Sequence, residues 1–199
     1  MERHSEITRR EALTRVAIVL GGAISAPTLA GALDVVTRGS WTVPEGWAPR
    51  TLSPSQLEQV AVLAEHIIPA TDTPGARAAG VQVFVDTLLT DHYPVPERDR
   101  FLAGLADVDA RTRARYGKTF LECAPDQQRA LLTVMDEEAY PAEPRGAPPP
   151  EGWFFHRLKE VTVVGYYTSQ IGATQELHVS PFGAYRGDIP YSTVGRAWA

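Results

Sequence analysis

Three groups of residues in this sequence are of types and spacings that could do chemistry. Glu65 and His66 adjoin, a carboxylate beside an imidazole able to move a proton near neutral pH. Asp72 lies in ATDTPGA, where a carboxylate could serve as a general base, or could bond its own backbone and close a turn. His156 and Glu160 stand four apart, a spacing that puts both on one helix face, where they could pair or hold a metal. His66 has no second ligand at helical spacing, so a metal there needs distant partners, and a packed histidine is the plainer role. His178 has no evident companion. A hydrolase built from this chain alone would have to unite Asp72, Glu65 and His66 in one pocket.

Cys123 is the only cysteine, which excludes an internal disulfide, a thiolate zinc site and a cysteine-ligated cluster. In FLECAP, just ahead of a helical stretch, it reads as a small buried residue; an intermolecular disulfide is the alternative. The sequence contains no G-x-G-x-x-G, no P-loop, no C-x-x-C-H, no G-x-S-x-G and no H-E-x-x-H. No catalytic, cofactor-binding or metal-binding residue is therefore assigned to it.

The elements that would position these residues are helical. Ser53-Pro54-Ser55-Gln56 offers an N-cap, a first-turn proline and a capping-box glutamine, and Leu57, Val60, Ala61, Ala64, Ile67 and Ile68 follow at helical spacing up to Pro69. A turn-rich loop, PATDTPGARAAG, comes next. Further helices are expected over about 81–93, closed by Pro94 and Pro96, over PERDRFLAGLADVDARTRARYGK, and from Pro125 to near Tyr140. WFFHRLKEVTVVGYYTSQIG is apolar nearly all round. Its cluster Val161 to Val164 suits a strand, but Phe154, Leu158, Val161 and Gly165 keep a 3.6 period, so a central or partner-covered helix is expected. The fold class is all-α, a small irregular domain of about five helices with an extended C-terminal tail, preceded by a signal helix.

At the other end, TRREALTR places Arg9 and Arg10, with Leu13, ahead of the apolar run Val16 to Leu33. A charged region, an apolar region and the small residues Ala30-Gly31-Ala32 mark an export signal, and paired arginines point to the twin-arginine route. Gly21, Gly22, Pro27 and Gly31 make that run a poor soluble helix and only a moderate membrane span. Cleavage is expected after Ala32, with retention as an anchor the alternative. The chain then divides into 1–32, a signal segment; 33–52, a linker; and 53–199, a helical domain with a proline-rich excursion at 141–152 and a tail over 173–199. At net charge -5, with acids and bases interspersed, the chain shows no nucleic-acid surface.

Aromatic residues crowd the last third, among them Phe155, Tyr166, Tyr167, Tyr185, Tyr191 and Trp198. They suit an interaction surface as well as a core.

Together, the twin-arginine leader, HIIPATDTPGARAAGVQVFVD, CAPDQQRALLTVMD, FFHRLKEVTVVGYYTSQIG and PYSTVGRAWA resemble the gluconate 2-dehydrogenase subunit 3 family over most of residues 7–199. The resemblance implies a small, non-catalytic subunit without a cofactor of its own. Its implied partner is a large subunit of the glucose-methanol-choline type that holds FAD and oxidises a sugar, sugar acid or glycoside, with a cytochrome c subunit or carrier commonly taking the electrons. It also implies a periplasmic, membrane-associated complex, exported folded through the twin-arginine translocase on this chain's signal. Pro69, Asp72, Pro74 and Gly75, with Phe155, Tyr166, Tyr167, Tyr185, Tyr191 and Trp198, are the candidate contacts with that partner. Family members can carry a cysteine in the tail; here Gly187 is followed by Asp188.

Overall fold

The computed structural model describes residues 24–38, 43, 45–140, 150–177 and 190. Among the described residues six α-helices follow in order: α1 Ala26–Arg38, α2 Pro54–Ile67, α3 Val81–Asp91, α4 Val95–Tyr116, α5 Pro125–Ala139 and α6 Trp153–Thr168. A 3-10 turn, Phe120–Glu122, precedes α5, and a π-helical turn, Gly172–Glu176, follows α6. No strand occurs among the described residues. None of their helices is long and apolar enough to cross a membrane.

Local sequence explains most of the helix ends. At α2 the Ser53 hydroxyl accepts from Gln56 N–H while the Gln56 side chain accepts from Ser53 N–H, with Pro54 in the first turn and Pro69 just beyond the end. Pro94 closes α3, whereas Pro96 falls in the first turn of α4 and so opens the next helix instead. On α4 only one stripe is buried, Phe101, Leu105, Val108 and Thr112, and the charged residues lie outside it.

The helical reading of 153–168 holds, and α6 is the centre of the fold. It packs against α1, α2, α3, α4 and α5. Phe154, Phe155, Leu158, Val161 and Tyr166 all face the core, where each large side chain contributes about 1.5–3 kcal/mol by leaving water. Phe154 meets Phe101 of α4 edge to face, ring centroids 5.2 Å apart. The helix is not buried on every side, however: Val163 is 43% exposed and Tyr167 37%.

Two segments differ from their sequence reading. Residues 33–38 continue α1 rather than beginning a linker, because Ser25 caps that helix (Thr28 N–H to Ser25 Oγ 3.3 Å, Leu29 N–H to Ser25 carbonyl 2.9 Å) and Pro27 falls in its first turn, where proline is tolerated. The end of the presumed linker is also tied down. Asp86, fully buried on α3, accepts from the backbone N–H groups of Arg50 (2.9 Å), Thr51 (2.9 Å) and Leu52 (2.7 Å). Beyond α6, residues 172–176 wind into the π-turn instead of running extended.

Candidate partner interface

The loop between α2 and α3 is held from three sides. Glu65, on the last turn of α2, curls its carboxylate beneath the loop: Oε1 accepts from Ala70 N–H and Oε2 from Arg77 N–H, both at 2.9 Å. Gly75 makes this possible, since a Cβ there would lie 2.3 and 2.5 Å from the two Glu65 oxygens. From α6, the Tyr166 hydroxyl donates to the Pro74 carbonyl at 2.8 Å. Burial pushes that phenol's pKa up, so it stays protonated and able to donate. From the π-turn, Glu176 accepts from the Thr73 hydroxyl at 2.8 Å.

The backbone completes the frame. Ala76 N–H reaches the Ile68 carbonyl at 2.9 Å and Thr71 N–H the Thr73 carbonyl at 3.0 Å, while the Ala76 side chain is sealed in the core. What remains outside is a fixed tip: Pro69, Ala70, Thr71 and Asp72 are exposed, and Thr71 donates to Asp72 at 2.9 Å. Arg77 Nη2 donates to both carboxylate oxygens of Glu58, at 2.7 and 2.9 Å, a half-exposed pair worth at most about 1 kcal/mol that still orients both side chains. Tyr167 extends the same surface: its ring meets that of Tyr166 edge to face at 5.2 Å, and Val163 lies one turn earlier on α6.

The candidate contact residues therefore fall into three groups. Pro69, Asp72 and Tyr167 are exposed. Pro74 and Gly75 shape the loop from partly or fully buried positions, and Phe155 and Tyr166, at 4% and 2% exposure, are core residues, since α6 turns that face inward. Tyr166 acts on the surface through its bond to the Pro74 carbonyl and its ring contact with Tyr167. Tyr185, Tyr191 and Trp198 lie outside the described residues, as do Arg9, Arg10 and Leu13.

The residues that an autonomous enzyme would combine are divided among separate environments. Glu65 lines an open depression of about 610 Å³ with Gly75, Arg77 and Gln82. His66 lines another, of about 270 Å³, with Leu132, Phe155, Arg129, Asp136 and Lys159, and its Nε2 meets Gln128 Oε1 at 2.9 Å. Asp72 lines neither. Glu160 pairs with Arg157 rather than with His156, whose ring lies against Tyr140 at 5.3 Å and whose pKa is lowered by burial. Cys123 is a buried free thiol, and burial pushes its pKa up. Among the described residues no three His, Cys, Asp or Glu side chains gather as a metal site would require.

Sequence reasoning missed Glu65 as a brace. A carboxylate one turn before a helix-ending proline, facing a loop with unpaired N–H groups, was the available signal. Nothing in the sequence pointed to Glu176.

No curated protein and no solved structure matches this chain. The profile of the gluconate 2-dehydrogenase subunit 3 family matches residues 54–187, from the first turn of α2 to beyond the π-turn, and so spans the braced loop and α6 alike. The chain belongs to the gluconate 2-dehydrogenase subunit 3 family.

Proposed function

We propose that this chain is the non-catalytic small subunit of a periplasmic FAD-dependent dehydrogenase of the glucose-methanol-choline type, acting on a sugar, sugar acid or glycoside. It carries the twin-arginine signal for the folded flavoprotein and stabilises that partner. The flavin belongs to the large subunit, and a cytochrome c subunit or a separate carrier receives the electrons. Family membership over residues 54–187 is the observation that carries this reading. The separation of Glu65, His66 and Asp72 supports it, because a proton-transfer catalyst needs its groups within hydrogen-bond reach of one substrate.

The export logic is physical. A flavin inserted in the cytoplasm requires its protein to cross the membrane folded, so one signal can serve two chains only if they dock beforehand. A loop held rigid before binding suits that task, since little conformational entropy remains to be lost on contact. Pro69, Asp72 and Tyr167 are the contacts we assign to the flavoprotein.

Two experiments test the reading. Affinity purification of the chain tagged at Ala199 from its native host should bring down a large protein with a flavin absorbance spectrum. A colourless monomer under gentle conditions would overturn the subunit assignment. Changing Arg9 and Arg10 together to Lys should leave both chains in the cytoplasm; normal export of the flavoprotein would defeat the carrier role.

A further inference from the structure

Ala30-Gly31-Ala32 has the small residues of a signal-peptidase site, yet these residues lie in the middle of α1, and α1 is built into the body of the domain. Three independent contacts attach it. Ser25 N–H donates to one carboxylate oxygen of Glu160, a side chain 4% exposed, whose other oxygen takes Arg157. Thr28 has no exposed surface, and its hydroxyl bonds the Tyr93 hydroxyl at 3.1 Å and Ser25 Oγ at 2.8 Å. Gly31 is buried on α3, so close to it that a Cβ would come within 2.2 Å of Leu88 Cδ1. The small residue here serves helix approach, a use unrelated to a peptidase.

We infer that the mature subunit begins at Ser25 or upstream of it, and that residues 25–38 are a permanent part of its fold rather than leader and linker. Cutting after Ala32 would remove the first half of α1. It would strip the buried Glu160 carboxylate of its Ser25 donor, leave the Tyr93 hydroxyl without Thr28, and open the surface of Leu88. A buried carboxylate deprived of a donor is among the costlier defects a core can carry. The inference rests on the proposed export reading only in treating the upstream residues as a leader.

The test combines the N-terminus of the subunit isolated from its native host, by intact mass, with its compartment and with hydrogen exchange on the purified full chain. A mature start at Ser25 or upstream is expected, with the amides of 27–34 exchanging roughly a hundredfold or more slower than an unstructured chain. An exported subunit starting at Leu33 would overturn the inference while leaving the export reading intact. A cytoplasmic chain with protected 27–34 amides would do the reverse. Unprotected amides over 27–34 would overturn it in either compartment.

Discussion

Asp86 and Glu65 perform the same act in two different settings. Each is a helix-borne carboxylate that gathers backbone N–H groups from a non-helical segment, Asp86 from residues 50–52 and Glu65 from Ala70 and Arg77. Asp86 is sealed from water, and Leu52, which it holds, belongs to the core. Glu65 is half-buried, at the rim of an open depression. Burial decides the consequence: behind Asp86 the alternative to the Leu52 bond is an unsatisfied amide, whereas at Glu65 water can replace the partner. The first bond set secures the fold, and the second sets the shape of a surface.

The comparison is broken most directly at Asp86. Asp86→Ala should lower unfolding stability by roughly 2–4 kcal/mol, because Leu52 N–H loses its acceptor at a buried site while the part-buried N–H groups of Arg50 and Thr51 lose theirs nearer the surface. Denaturant titration measures this, and a loss below about 1 kcal/mol would refute the ranking of the two sites. Asp86→Asn, which keeps one acceptor oxygen, should recover part of the loss.

Gly75→Ala comes next. The added methyl would collide with the Glu65 carboxylate and with Ala70 N, so the brace must move, costing about 1–3 kcal/mol. A stable protein with a displaced loop would show as lost protection of the Ala70 and Arg77 amides in hydrogen exchange. Unchanged protection would mean that the carboxylate does not hold them.

Substitutions at the exposed tip should separate surface from fold. Asp72→Ala and Tyr167→Ala should each change stability by no more than about 1 kcal/mol, yet weaken recovery of the flavoprotein roughly tenfold in the pull-down. Full recovery with both changes combined would move the docking surface elsewhere.

The smallest effect concerns His156. Burial lowers its pKa in the folded protein, against the attraction of Glu160 and with help from Arg157 and Lys159. The unfolded chain therefore binds the proton more readily, and stability should fall as pH is lowered through about 6.5 toward the depressed folded value. His156→Phe should flatten that part of the pH profile. An unchanged slope would assign the pH dependence to other groups.

Much of this fold was legible in advance because its signals are local. Ser53, Pro54 and Gln56 start α2, Pro125 opens α5, and the period of Phe154, Leu158 and Val161 outweighed the β-branched run that suggested a strand. Pro96 was misjudged because a proline after a helix and a proline in the first turn of the next look alike until the turn between them is known. Of the candidate contacts, Pro69 and Asp72 could be placed on the surface from their turn chemistry. Phe155 and Tyr166 could not be told from Tyr167, since a helix apolar nearly all round does not say which side its neighbours cover.

The sequence by itself determined the helices, their caps and the family, each of which depends on residues a few positions apart or on a pattern carried along the chain. Only the tertiary structure decided which carboxylate braces which segment, and that α1 belongs to the body. Ser25 and Glu160 are separated by 135 positions, Thr73 and Glu176 by 103, and Tyr166 and Pro74 by 92. Hydrogen bonds of that span have no local signature: the donor is a backbone N–H or a hydroxyl of a kind found all along the chain, and its partner becomes specific only when packing brings it within reach.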